Sequence, residues 1–364
     1  MSVEAIAAVA YKANTPMVIE DVVLDPPGEG EVLVEIKASG LCHTDLGILE
    51  GHSPFSKVFP IVLGHEGAGV VIDVGPGVTD LKPGDHVVSF SAECGVCPAC
   101  RSKKGNICDG AMVGPSEPTI AVQGGRAWPG LGLGTFSSKM VAPVIKLANV
   151  RQDAPFDQIS YLSCGAATGI GAAIFTAGVE PGSSVIIFGL GGIGLNVVQG
   201  ARMAGAKTII GVDVNPIKGE AAMRLGATQF VNPREVEGDI VGHLNELTGG
   251  GADYTFEAVG NPTLMQQALA SARIGWGVCT VIGVAPEGES MQVSPLDLLM
   301  GRKLQGSSMG GIRGRSQLPE LVDWLMEGRF DLASLITHRM PIEDINHGFD
   351  LMKSGESLRS VIMF

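Results

Sequence analysis

Four cysteines fall within fifteen residues, Cys94, Cys97, Cys100 and Cys108, spaced C-x2-C-x2-C-x7-C. Four thiolates on so short a loop can close a tetrahedron around one ion, and Zn²⁺ is the usual occupant of an all-sulfur site. An iron–sulfur cluster also takes four cysteines, but this spacing matches neither common ferredoxin pattern. With every position filled by protein, such a site holds a loop and leaves no place for a substrate. Lys103 and Lys104 sit inside the loop, where they would offset its excess negative charge. A second constellation is Gly189-Leu-Gly191-Gly192-Ile193-Gly194. Its first glycine suits a tight turn, its second lets backbone approach a pyrophosphate, and its third allows close helix–strand packing. Asp213 follows Gly194 by nineteen residues. A carboxylate there accepts from both ribose hydroxyls and repels a 2′-phosphate, so NAD is expected over NADP. The plainer reading is a glycine turn that binds nothing.

Three further residues could hold a metal but lie far apart: Cys42 in GLCHTD (40–45), His65 in GHEGAG (64–69) and Cys164 in SCG (163–165). Spacing does not connect them. Taken singly, each reads as a buried cysteine or a hydrogen-bonded histidine.

The elements that must position these groups differ along the chain. Over the first ~155 residues the pattern is of short strands: 32–38 alternates apolar and polar residues, 70–74 is β-branched, and GPG and KPGD mark turns. An antiparallel, barrel-like domain is expected there. Beyond about residue 156, strand-like pieces at 185–188, 208–212, 254–258 and 278–283 alternate with helix-length runs such as 190–204. That alternation predicts a parallel, doubly wound sheet. A helix over 317–326 and a strand over 360–364 close the chain. The expected division is a zinc-binding barrel-like domain over 1–165 and 309–364, and an NAD-binding domain over 166–308.

Composition narrows the field. The chain has 364 residues, enough for two domains at about 150 residues each. A net charge of −13 argues against nucleic acid or an anionic membrane surface as the main partner. The uncharged stretches 158–179 and 181–201 are long enough to span a bilayer. They are broken by Gly, Ser and Thr, so buried core elements are expected instead. Seven cysteines in a long chain, with Glu4 where a signal peptide carries positive charge, point to the cytoplasm and to metal chemistry over disulfides.

The motifs GLCHTD, GHEGAG, the cysteine quartet, GLGGIG, GVDVNPIK, RLGATQFVNP, GADYTFEAVGN and KSGESLRS occur in this order over nearly the whole chain. On them the sequence resembles the zinc-dependent medium-chain alcohol dehydrogenase family. The resemblance implies a GroES-like catalytic domain, a Rossmann coenzyme domain, and two zinc ions per chain, one catalytic and one structural. It implies that Cys42, His65 and Cys164 hold the catalytic zinc, with the fourth position open to water or the substrate oxygen. Glu66 would stand behind the metal or ligate transiently, and Asp45 would orient His65, as carboxylates behind metal-bound histidines do. Thr44 would pass the alcohol proton toward solvent, and His43 would touch the coenzyme pyrophosphate. Lys218 would meet the adenosine ribose, Arg359 a phosphate and Val284 the coenzyme, while Phe90 would line the substrate pocket. Without the resemblance these read as an exposed hydroxyl and histidine, surface cations and core packing.

One departure from the family is Gly47, where many members carry a histidine that ends the proton relay; water, the ribose or His52 are the substitutes. The segment 111–133 replaces the usual pocket mouth. The leading expectation is NAD-dependent oxidation of a primary aliphatic, allylic or aromatic alcohol to an aldehyde. The alternative is oxidation of a formaldehyde adduct of glutathione or mycothiol, because CHTD is also typical of those enzymes. A zinc-stabilised nucleotide-binding protein without turnover ranks below both. A homodimer or homotetramer is expected, with 280–282 and a strand-like 291–295 resembling the family's subunit contact.

Overall fold

The fold, obtained as a computed structural model, describes residues 2–53, 58–102, 106–111 and 114–364. Lys103 and Lys104, and two residues of the segment 111–133, lie outside the described residues. The chain divides into two compact units. One comprises Met1–Cys164, Arg313–Gly328 and Leu332–Phe364; the other comprises Gly165–Ile312 and Arg329–Asp331.

In the first unit five strands close a barrel in the order Val3–Ala10, Val18–Leu24, Ile120–Val122, Gly125–Pro129, Ile61–Val62. Beside it lies a seven-stranded sheet centred on Glu31–Gly40 and Glu66–Val74. The alternation read at 32–38 is part of the longer strand Glu31–Gly40, which pairs antiparallel with Glu66–Val74. Its Val32, Val34 and Ile36 point into one apolar cluster with Val71, Val87 and Leu147, as a period of two requires. The C-terminal strand Ser360–Met363 returns to pair with residues 38–40. That return brings Arg359 back to the segment that precedes Cys42.

The second unit is a parallel sheet of six strands, ordered Gln229–Val231, Thr208–Val212, Ser184–Phe188, Tyr254–Glu257, Val278–Val281, Lys303–Gly306. The strand order reverses beside Ser184–Phe188, and such a switch point is where open α/β sheets bind ligands. Three of its helices start where side chains cap them: Asn215 before Pro216–Leu225, Asp239 before Ile240–Leu247 and Asn261 before Pro262–Ala270. Residues 291–294 are irregular and Pro295–Leu299 is helical, so the strand expected over 291–295 is absent. Proline at the first helical position explains the outcome. Among the described residues one helical run, Phe156–Thr176, is long and apolar enough to cross a membrane; 83% of its most apolar window is buried, as in a core helix.

Candidate functional site

Within the first unit, the fold brings together three residues that spacing left unconnected. Cys42 caps the N-terminus of the helix His43–Leu49. His65 follows Gly64, whose φ of +91° and crowding by Phe136 and Thr135 leave no room for a side chain. Cys164 sits in a wide helical turn, Leu162–Ala166. The ligand atoms of Cys42, His65, Cys164 and Glu66 all lie within 4.8 Å of one another.

The surroundings fix this group. Asp45 is 1% exposed and accepts the Gly64 N–H at 3.0 Å. Its carboxylate also meets His65 Nδ1 at 3.1–3.2 Å, leaving Nε2 free to ligate. Glu66 is fully buried and pairs with Arg359 Nη2 at 2.8 Å. Arg359 also donates to the Leu41 carbonyl and stacks on Tyr161, its guanidinium 4.0 Å from the ring centroid. Burial pushes the Glu66 carboxyl up to about 8, with Arg359 pulling it back. Cys42 is held well below the ordinary thiol range because Cys164 donates to it, and Cys164 rises for the same reason. Burial opposes a charge on His65, yet Asp45 and Cys42 outweigh it and hold its pKa well above the usual value. Two soft thiolates and one oriented imidazole suit Zn²⁺, and three protein ligands are the number a catalytic zinc keeps.

His43 is exposed and Thr44 half-buried on the first turn after Cys42. Gly47 is half-buried, His52 exposed, and among the described residues a Cβ at position 47 would meet Ser53 Cβ, at 3.8 Å. Phe90 is 3% exposed, and its ring packs where Gly314 leaves space.

The quartet lies in the same unit. Sγ of Cys94 and Cys100 are 3.9 Å apart, as are those of Cys97 and Cys108, and all four fall within 4.8 Å. Zinc–sulfur bonds of about 2.3 Å give tetrahedral S···S edges of about 3.8 Å, so the donors fit zinc. They are too far apart for disulfides. Backbone N–H groups of Cys97, Cys100 and Gly110 donate to the sulfurs at 3.2–3.4 Å. N–H groups of Val96 and Cys97 lower the Cys94 thiol to about 6, while burial raises Cys100 to about 12.

In the second unit, Gly189 ends the strand Ser184–Phe188 with φ +89°. A Cβ on Gly194 would stand 1.8 Å from the Gly189 carbonyl oxygen, so that position tolerates nothing larger. Gly191 faces open space and caps the helix Gly192–Met203, which Gly192 and Ile193 begin. The amides at that helix start are a ready anion site. Asp213 ends the next strand and accepts from Leu190 N at 2.8 Å and Asn215 N at 2.9 Å. Lys218 Nζ lies 4.0 Å from the same carboxylate. Val284 is 57% exposed, and its backbone lies against Gly260, whose Cβ would meet the Val284 oxygen at 2.3 Å.

Two features escaped sequence reading. The pairing of Glu66 with Arg359 spans 293 residues and leaves no local signal. Arg359, read as a phosphate ligand, belongs to the first unit and is 7% exposed beside Glu66. Lys146 is 4% exposed; a lysine between Val144-Ile145 and Leu147-Ala148 is the available hint.

Comparison with known proteins agrees in all parts of the chain. Residues 28–152 match the family model of the alcohol dehydrogenase GroES-like domain, and residues 192–327 that of the zinc-binding dehydrogenases. The chain is 50% identical over 373 residues to the alcohol dehydrogenase class-3 of Cereibacter sphaeroides, covering 98% of this chain and 99% of that protein. It is 47% identical to the S-(hydroxymethyl)glutathione dehydrogenase of Paracoccus denitrificans, with the same coverage. Among solved structures, benzyl alcohol dehydrogenase from Acinetobacter calcoaceticus superposes with a TM-score of 0.91 at 30% identity, over 100% of this chain and 99% of that one.

Proposed function

The chain belongs to the zinc-dependent medium-chain alcohol dehydrogenase family, an enzyme family that uses zinc and NAD, and from that premise we propose that it oxidises a thiol–formaldehyde adduct. The reaction would be R–S–CH₂OH + NAD⁺ → R–S–CHO + NADH + H⁺. The carrying observation is the Paracoccus relative, 47% identical along the whole chain and named for S-(hydroxymethyl)glutathione.

Zinc held by Cys42, His65 and Cys164 would supply a Lewis acid that lowers the pKa of the substrate hydroxyl. Every other contribution belongs to the chain. Asp45 holds the His65 ring so that Nε2 faces the thiols. Arg359 neutralises Glu66 and keeps that carboxylate behind the ligands. Thr44, on the first turn of the helix that Cys42 caps, would receive the hydroxyl proton. Gly47 offers it no further acceptor, so the proton would pass to water, to the ribose or to His52. The glycine loop, His43, Lys218 and Val284 would hold NAD, and Asp213 would select it over NADP. The quartet would hold a second zinc that fixes its own lobe.

A second reading, oxidation of a simple primary alcohol, is favoured by the likeness to benzyl alcohol dehydrogenase. A substrate panel followed at the NADH absorbance band separates the two. Formaldehyde with and without glutathione or mycothiol, benzyl alcohol, geraniol and butanol are its members. Turnover that requires formaldehyde and a thiol together supports the adduct; turnover on benzyl alcohol with no gain from thiol supports the second reading. A homo-oligomer is also proposed, because the edge strand Lys303–Gly306 lies beside exposed Leu296, Leu299 and Met300. Sedimentation at several concentrations tests it.

A further inference from the structure

Lys146 is buried against the habit of its type. It is 4% exposed, and burial pulls its pKa down to about 8. Among the described residues no carboxylate pairs with it; its Nζ donates to the Leu131 carbonyl at 2.7 Å. Taking an ammonium out of water without a counter-charge is costly, so what the side chain holds in place must offset that cost.

The residue stands at a junction. Its own carbonyl accepts the Phe90 N–H at 2.9 Å. Phe90 follows Ser89, whose hydroxyl donates to the His65 carbonyl at 2.7 Å and accepts the Gly67 N–H at 2.8 Å. At the far end of the lysine, Leu131 sits in the turn Gly130–Gly132 with φ 53° and ψ 23°, a left-handed conformation unfavourable for such a residue. That turn leads into Thr135 and Phe136, whose N–H groups donate to the carbonyls of Gly64 and Leu63 at 3.0 and 2.9 Å. A Cβ on Gly130 would lie 2.9 Å from the Val62 carbonyl oxygen. The chain before His65 is therefore held by residues 130–136, and the chain after it by Ser89. Lys146 joins the two supports, one through its backbone and the other through its ammonium.

We infer that Lys146 is a positioning residue: it clamps the left-handed turn at Leu131 to the strand end at Phe90, and so sets the wall that a substrate's non-reacting part meets beside His65. The inference rests on placing the reacting hydroxyl at Cys42, His65 and Cys164, and it holds whichever alcohol is oxidised.

Lys146→Met keeps the reach of the side chain and removes its donors. In the holoenzyme, the amides of Leu133 and Gly134, which donate to the Gly130 carbonyl, should exchange with deuterium about tenfold faster or more. Those of Thr208–Val212 should not change. With benzyl alcohol and ethanol as probes, KM for benzyl alcohol should shift about fivefold or more relative to that for ethanol, with a smaller change in kcat. Leu131→Gly tests the clamp from its other end, since glycine adopts the turn unaided. On that background Lys146→Met should change exchange at Leu133 and Gly134 by less than about threefold. Unchanged protection at 133–134 overturns the inference, as does an equal KM shift for both alcohols or a full additive effect on the glycine background. The exchange measurement needs no substrate, so failure of the adduct reading leaves it intact.

Discussion

The two metal-binding constellations of the first unit use the same donor chemistry to opposite ends. The quartet Cys94, Cys97, Cys100 and Cys108 is local and complete; backbone N–H groups of its own loop donate to the sulfurs of Cys94, Cys97 and Cys108. The Cys42, His65 and Cys164 group is assembled from three separate elements, and among the described residues the one further donor grouped with it is the carboxylate of Glu66, which is already paired with Arg359. Its support comes from buried side chains, Asp45 and the Glu66–Arg359 pair. A closed site needs only its loop, whereas an open one needs a fold that can hold an incomplete ligand set rigid and accessible.

That contrast can be broken. Cys164→Ala should lose one of about two zinc ions per chain and lower kcat/KM by about 10³-fold or more. Metal analysis beside kinetics checks it; loss of both ions, or unchanged turnover, would erase the division between the sites. Asp45→Asn should cost about 10- to 100-fold in zinc affinity or kcat/KM, because the amide can still accept from His65 but no longer offers it charge. Competition with a chelator measures the affinity and should show the quartet's ion unmoved. Cys97→Ser should do the reverse, releasing the other zinc and lowering the melting temperature. Turnover per folded molecule should fall by less than about tenfold, since no quartet residue supplies an open ligand position. An equal collapse of turnover would mean that the quartet serves the reaction directly.

How far each site was legible follows from the same contrast. Four ligands within fifteen residues declare themselves by spacing, and the glycine loop declares itself because Gly194 must clear the Gly189 carbonyl. Cys42, His65 and Cys164 carry no mutual spacing; only the resemblance of their surrounding motifs joined them before the fold was known. Strands with a clear period of two, such as Glu31–Gly40, were legible in kind but not in extent. The stretch 291–295 was misread as a strand because Val293 and its neighbours outweighed the Ser294-Pro295 helix start. The pairing of Arg359 with Glu66 and the burial of Lys146 carry no local signal for one reason: a cation far from any partner in sequence reads as surface, and burial is created by packing from elsewhere in the chain.

The smallest expected effect sharpens the comparison at its functional end. An open site releases a proton at each turnover and a closed one does not, so only the former needs a route to water. The helix His43–Leu49 carries Thr44 on its first turn and Gly47 one turn later, where i and i+3 share a face. Position 47 is helical, and among the described residues its Cβ would make only an ordinary contact with Ser53, so Gly47→His places an imidazole where the resemblance puts the relay's end. A histidine with an ordinary pKa near 6.5 accepts the proton best near neutrality. Gly47→His should therefore raise kcat by about two- to fivefold near pH 7 and leave it almost unchanged near pH 9, where hydroxide competes for the proton. Gly47→Ala is the control: its gain in helix propensity, about 1 kcal/mol, exceeds that of histidine, and it should leave the pH profile flat. If both variants change kcat alike at every pH, the effect is helix stiffening, and proton exit does not run along this face.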